Sequence, residues 1–488
     1  MERDGRRIRK VRLAGGGSAG SIDPAMPGQN DISDDADPLI AARTRRAAQD
    51  MAGADACLTT LAVQRPDDPV VAMMLAQVRH ERGLPGADLF ARAAALDPAN
   101  PDARRNQALA LAAEGDPAAA EAVLTGVLAE RPDWLDGLRV LASLRWIAGR
   151  SEDFDAAWRD AARARPGVQG LWLGWFSALA QVRDWPRAIA VLDEAQRHCG
   201  TSFAILSARI FVAGESGDDA TCAALLDRLA GREDDFLRLA RIRLELRRGN
   251  AVAARDTALA MLGGPGRAQA WSYLSTAWRL LGDPMADWLD GDPAFVRAHD
   301  VALGAADLAE LAELLRGFHL ARAPYAEQSV RLGTQTDRPV LLRHEPIVQR
   351  ACAALLDCVA QHIAALPPPD PRHPLLAVPR GPVLIAGSWS VRLGAGGFNV
   401  AHCHPAGWLS SAFYVALPDP AEAGSPPAGY FHWGAPPTEL KVDLPPRGMI
   451  APKVGQIVLF PSYFWHGTVP IERGERLNIA FDIVPRPN

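Results

Sequence analysis

A 34-residue period constrains this chain more than any other feature. Pro98, Pro132 and Pro166 stand 34 residues apart and directly follow Asp97, Arg131 and Arg165, at the ends of helix-forming runs. A second ruler runs through Gly83, Gly115, Gly149, Gly217, Gly249 and Gly282. Its spacings are 32, 34, 68, 32 and 33, and Arg183-Asp184 fills the missing beat. The pattern reads as a helix, a Gly turn, a second helix and a Pro stop. Gly supplies the left-handed cap that ends a helix, and Pro lacks the amide donor that would continue one. Between the marks lie small and aliphatic residues at helical spacing, such as Ala108 to Ala112 and Ala118 to Leu124. A helix pair of this kind leaves an apolar face that only the next pair can bury, which dictates a stacked solenoid.

This 34-residue layout resembles the tetratricopeptide repeat. The expectation is six or seven units between roughly residues 40 and 285, the first and last degenerate. The resemblance implies a concave groove that takes a protein or peptide partner. Nine of the thirteen Trp residues fall here, including Trp172, Trp175 and Trp185, and packing between helices is the expected use of most of them. Residues 1–39 are Arg-rich at the start and lack an apolar run, so they read as a disordered tail and not as a secretory signal.

Composition excludes several classes. The chain of 488 residues is 48% hydrophobic and 22% charged, the balance of a globular protein, and its net charge of -5 argues against a nucleic-acid partner. No apolar run approaches 18 residues, so no membrane helix is expected. Six scattered cysteines without a CxxC fit neither a zinc ribbon nor a disulfide scaffold, and point to a reducing, cytoplasmic setting. Oligomeric state is not encoded in any feature of this kind.

After Asp283-Pro284 the period ends, and the expected domains are a tail over 1–39, helical repeats over 40–298 and a strand-rich domain over 299–488. Ala305 to Leu320 and Glu345 to Leu366 read as helices, the second closing at Pro367-Pro368-Pro369. Beyond them the hydrophobic period falls to two. Trp389 to Leu393, Leu409 to Leu417, Ile457 to Phe460 and Leu477 to Val484 are short and separated by Gly- and Pro-rich turns, which indicates a double-sheet jelly roll or a barrel. In the last strand Leu477, Ile479, Phe481 and Ile483 share one face, while Arg476, Asn478, Ala480 and Asp482 share the other. An inward Arg needs an anionic partner, so this face implies a ligand, the alternative being an ion pair with Asp482 or another carboxylate. His402 and His404, two apart on extended chain, can share a metal, although such a pair alone is weak. His466 follows the Ile457 to Phe460 strand, and Arg476 comes ten residues later.

Together these residues resemble the 2-oxoglutarate- and Fe(II)-dependent oxygenases that bacteria carry behind tetratricopeptide repeats. The resemblance covers roughly Asp307 to the C-terminus and rests on Gln328 to Thr336, Ser388 to Val391, His402-Cys403-His404-Pro405, Gly407 to Ser410 with Tyr414, Leu459 to Ser462 with His466-Gly467-Thr468, and Arg476 to Asp482. It implies a double-stranded β-helix that uses Fe(II) and the co-substrate 2-oxoglutarate. His402 and His466 would be metal ligands. His404 stands where most of the wider superfamily carries a carboxylate, and either completes a three-His site or orients substrate. Arg476 would anchor 2-oxoglutarate bidentately, with Tyr414 and Asn478 as further donors to it. Gln328, Arg331, Gln335 and Trp408 are the candidate substrate residues. His432 is expected to be structural or at the rim, and Cys403 to point away from the metal. Two other classes compete: a cupin-like three-His metal enzyme that ignores 2-oxoglutarate, and a non-catalytic repeat adaptor.

Overall fold

The computed structural model describes residues 37–232, 234–326 and 328–486. The expected tail lies outside them except at its end, where Asp37 caps a helix that starts at Pro38. The repeats form eight helix pairs instead of six or seven. They are α1 (Pro38–Ala47) with α2 (Met51–Gln64), α3 (Pro69–Glu81) with α4 (Ala87–Leu96), and α5 (Pro101–Ala113) with α6 (Pro117–Glu130). Next come α7 (Leu135–Ile147) with α8 (Ala156–Ala164), α9 (Gln169–Gln181) with α10 (Trp185–Cys199), and α11 (Phe203–Ser216) with α12 (Asp219–Arg228). The last are α13 (Asp235–Arg247) with α14 (Ala251–Ala260), and α15 (Arg267–Leu281) with α16 (Met285–Asp290).

The first pair escapes the sequence ruler because Gln49 occupies the turn position that Gly holds at most of the others, while the last pair keeps Gly282 but has a second helix only six residues long. The punctuation works as its chemistry dictates. The six ruler glycines have positive φ, and Gln49 (φ 63) and Arg183 (φ 59) take the same left-handed conformation. Asp50, Asp116, Asp184 and Asp218 then accept an amide hydrogen bond at the start of the following helix, the N-cap that satisfies an otherwise orphan donor. Trp172 and Trp175 are buried among neighbouring helices, as packing residues.

The strand-rich part comprises β1 (Arg297–Asp300), α17 (Ala305–Phe318), β2 (Val330–Gln335), α18 (Pro346–Ala364), β3 (Val383–Asn399) and β4 (Leu409–Ala416). It continues with β5 (Phe431–Trp433), β6 (Gly448–Ile450), β7 (Gln456–Pro461), β8 (His466–Thr468) and β9 (Arg476–Pro485). Two antiparallel sheets result, ordered β1-β7-β4-β9-β3-β2 and β6-β5-β8. This two-sheet sandwich agrees with the jelly-roll class. The alternation along β9 holds: Leu477, Ile479, Phe481 and Ile483 are fully buried in the same core as Leu311, Leu315 and Leu355 of α17 and α18. The expected boundary between 298 and 299 cuts through β1, which is paired along its length with β7. Three charged or polar residues, Arg297, His299 and Asp300, interrupted only by Ala298, hide that strand from a reading based on hydrophobicity.

The two halves are one packed body along a ridge of turns. The ridge is the row of first-helix ends marked by the glycine ruler. Gln49 exchanges two hydrogen bonds with the Ile385 backbone, at 2.7 and 3.0 Å. At the end of α3 the Arg82 carbonyl accepts from the His344 amide at 3.0 Å, and at the end of α7 the Ile147 carbonyl accepts from the Arg322 amide at 2.8 Å. Arg338 donates to the Ala113 carbonyl at the end of α5, Arg183 pairs with Glu439 at 2.7 Å, and Arg279 of α15 donates to the carbonyls of Gly434 and Pro445. The last carbonyls of a helix have no partner within it and carry its negative dipole end. Donors and basic side chains from the second domain satisfy three of them in a row. Behind this ridge the core is continuous, with Trp271, Leu274 and Trp278 of α15 clustered with Phe460 and Phe481.

Candidate metal centre

His402, His404 and His466 come together although no two lie on the same regular strand. β3 ends at Asn399, and His402 follows on extended chain. It forms a one-residue bridge with His466, the amide of each donating to the carbonyl of the other at 3.0 and 2.9 Å. His404 sits further along, its amide bound to the Ser462 carbonyl at 2.8 Å. One ligand nitrogen from each ring lies within 4.8 Å of the others. Cys403, between them, faces the solenoid and packs at the edge of the main core, as alternation requires.

The far side of each ring fixes its tautomer. His402 Nδ1 is 2.8 Å from the Val400 carbonyl, His466 Nδ1 is 3.0 Å from the Phe464 carbonyl, and His404 Nδ1 is 2.7 Å from Asp482 Oδ1. A carbonyl or a carboxylate only accepts, so each Nδ1 must carry a proton, and in a neutral ring it is then Nε2 that presents the lone pair. Burial, and then the neighbouring rings, hold His402 down to about 3 and His466 well below the usual imidazole range, so both are neutral. Two neutral imidazoles, with a third ring oriented by a carboxylate, are a donor set that suits a divalent transition metal.

Arg476, at the start of β9, is 2% exposed, and among the described residues no carboxylate pairs with it. Its NH1 donates to the Gly429 carbonyl at 2.8 Å, its guanidinium lies 5.0 Å from the centre of the Tyr414 ring, and its Nε has no partner. The Tyr414 hydroxyl is buried and equally unpartnered. Burial pulls the Arg476 pKa down and pushes that of Tyr414 up, leaving the latter a proton donor. Asn478 stands opposite Tyr414 in the β4–β9 register and is buried. Leaving such groups bare is costly, so this arrangement calls for an anion with several acceptor oxygens. The alternative ion pair of Arg476 with Asp482 does not form. Six residues of extended chain at about 3.3 Å each separate them by about 20 Å, and Asp482 is engaged by His404 and Ser410.

The candidate substrate residues divide. Arg331 of β2 is half-buried, is held by the Gln328 and Val330 carbonyls at 2.8 and 2.9 Å, and is near enough to bear electrostatically on His402. Gln328 Oε1 is buried without a partner. Gln335 is at the far end of β2, across from Val391. Trp408 is a correction: it is 6% exposed, and its indole donates to the Leu375 carbonyl at 3.0 Å, so it belongs to the core and does not line an opening. His432 packs against Gly467 on β8. Ser410 and Ser462, which the sequence motifs contain without assigning them a role, tie Asp482 to the site. Seryl residues inside a hydrophobic strand, such as Ser410 and Ser411 in β4, were the available signal.

Residues 387–482 match the model of a family described as "Putative 2OG-Fe(II) oxygenase". The chain thus joins a tetratricopeptide-type solenoid to a C-terminal domain that carries the match to this family model. Among solved structures it is similar to a tetratricopeptide repeat protein from Parabacteroides merdae, at 12% identity and TM-score 0.32, over 49% of this chain and 97% of that one. It is also similar to PilW, a type IV pilus biogenesis factor, at 15% identity and TM-score 0.30, over 38% of this chain and 88% of that one. A thermophilic TPR protein in Thermus thermophilus matches at 20% identity and TM-score 0.29, over 37% of this chain and all of that one. Likenesses this loose add nothing to what the helices themselves display. No curated protein matches the chain. Among the described residues no helix is long and apolar enough to cross a membrane.

Proposed function

We propose that the protein is a 2-oxoglutarate- and Fe(II)-dependent dioxygenase that hydroxylates a protein or peptide held by the repeats. The observation that carries this reading is Arg476, a buried guanidinium that pairs with no carboxylate among the described residues and lies 5.0 Å from the centre of the Tyr414 ring, whose hydroxyl is bare. His402, His404 and His466 would hold the iron, and Arg476, with Tyr414 and Asn478, would hold the far carboxylate of 2-oxoglutarate. Bound there, the pair supplies the oxidation of a substrate C–H bond to an alcohol by O2, with 2-oxoglutarate leaving as succinate and CO2. The chain's own part is orientation. The carbonyls of Val400 and Phe464 orient the rings of His402 and His466, burial keeps those two rings unprotonated, and the Arg331 guanidinium stands near His402. Recruitment by the repeats follows from the solenoid form, whose stacked helix pairs offer an extended surface to a partner.

Three neutral His ligands also suit zinc with an open position, which is the specific ground for a second reading, a metal enzyme independent of 2-oxoglutarate. Anaerobic titration of the full chain with Fe(II) and 2-oxoglutarate separates the two. The expected outcome is a visible charge-transfer band that saturates at one equivalent of each and is lost in His466→Ala. Stoichiometric metal binding with no such band favours the second reading.

A further inference from the structure

The carboxylate that touches the three-His cluster does so from behind. Asp482 Oδ1 accepts from His404 Nδ1 at 2.7 Å and from Ser410 Oγ at 2.6 Å, and Ser410 Oγ is 2.8 Å from Ser462 Oγ. Ser462 in turn supplies the carbonyl that holds the His404 amide at 2.8 Å. The frame is rigid, since Ser410 and Ser462 are both buried and Ser410 faces Asp482 in the β4–β9 register. It is also tight around Gly407: a Cβ there would sit 2.5 Å from Ser462 Oγ and 3.3 Å from the Asp482 Cβ. His404, unlike His402 and His466, is therefore backed by a fixed negative charge and not by a backbone carbonyl.

Resting on the metal reading above, we propose that Asp482, locked by Ser410 and Ser462, is a positioning residue that makes His404 a third metal ligand. A neutral triad leaves both positive charges of a divalent ion uncompensated by the protein. A carboxylate hydrogen-bonded to the far nitrogen of one ligand fixes that ring's tautomer and orientation and raises its basicity, and removing such a partner typically costs about 10- to 100-fold in metal affinity. Asp482 thus acts on the metal through His404 and not by touching it.

The test uses Co(II) as the probe, titrated into the metal-free full-length chain and followed by calorimetry and by its ligand-field absorption. Asp482→Ala is expected to weaken Co(II) binding about 10- to 100-fold and to change the absorption band. Asp482→Asn, which keeps an oxygen acceptor for Nδ1 but removes the charge, is expected to fall between that variant and the wild type. In a His404→Ala background, adding Asp482→Ala should change the affinity by less than about twofold, because the route through His404 is already gone. A role confined to holding β4 and β9 together would instead cost the same with or without His404, and that result overturns the proposal. So does wild-type affinity and absorption in Asp482→Asn, which decides the matter if Asp482→Ala fails to fold. Absence of Co(II) binding by the wild type would bring down the metal reading itself, a failure distinct from normal binding by both Asp482 variants.

Discussion

Two buried arginines, Arg343 on the ridge between the halves and Arg476 at the start of β9, each sit near an aromatic ring and have opposite bookkeeping. The ring is Phe318, at 3.9 Å, for Arg343 and Tyr414, at 5.0 Å, for Arg476. Arg343 places its Nε 3.1 Å from both oxygens of Glu345 and fills the space over Gly83, where a Cβ would come within 2.3 Å of its Cζ. Arg476 has one backbone carbonyl and a bare Nε. A charge whose partner lies within the chain holds the fold together; a charge left without one marks where something else must bind.

Cutting the ridge is the most severe way to break that comparison. A chain starting at residue 298 would lose the partners of Ile385, His344, Arg322 and Arg338, and would expose the core face that Trp271, Leu274 and Trp278 cover. It is expected to lose cooperative unfolding and near-ultraviolet circular dichroism, so it cannot serve as a minimal oxygenase. A truncated chain that melts as sharply as the whole protein would show that the halves are independent and that the ridge contacts are incidental.

Exchanging the two arginines' roles sharpens the contrast. Arg476→Lys removes the planar fork while keeping the charge, and is expected to weaken 2-oxoglutarate binding by 2–5 kcal/mol, roughly 30- to 5000-fold, with Fe(II) affinity unchanged. Arg343→Lys is expected to do the reverse: a loss of about 1.5–3 kcal/mol in urea denaturation, the range for hydrogen bonds to charged groups, and no change in 2-oxoglutarate affinity. Equal effects of both variants on the co-substrate would mean that the cavity is shaped by general packing and that Arg476 has no special place in it.

The same contrast explains what could be read from the sequence. The repeats were legible because each turn needs a residue able to adopt positive φ, and Gly supplies it at six of the turns. Only where Gln49 and Arg183 stand in that slot did the ruler skip. His402, His466 and Arg476 were legible because alternation and spacing bring polar groups inward where an apolar core is expected. The docking of the halves was not legible. Its contacts are backbone carbonyls at helix ends and donors such as the His344 and Arg322 amides, which every sequence possesses. β1 and β2 were missed for a related reason: Arg297, His299 and Asp300, like Arg331 and Gln335, are polar residues on strands at the two edges of the large sheet, where hydrophobic alternation is not enforced. Trp408 was misplaced because its position between the His404 turn and β4 does not reveal which way the indole points.

The smallest effect tests whether the two non-glycine turn residues are there for docking. A left-handed residue other than Gly carries strain of about 1–2 kcal/mol. Replacing it by Gly relieves that strain but adds freedom to the unfolded chain worth about 0.4–1 kcal/mol. These terms largely offset each other, so the lost contacts decide the sign. For Arg183→Gly the loss is one pair with Glu439, in which the Arg side chain is 50% exposed and the Glu 26%. Such pairs contribute about 0–1 kcal/mol, and stability should stay within about 0.5 kcal/mol of wild type. Gln49→Gly removes two hydrogen bonds from the Ile385 backbone and leaves its amide and carbonyl without those partners. Each is worth about 0.5–1.5 kcal/mol, so this variant should be the less stable of the two, by about 1 kcal/mol in urea denaturation. If Gln49→Gly is instead as stable as Arg183→Gly, the glutamine is not held in the left-handed slot by what it docks against, and the ridge begins at α3.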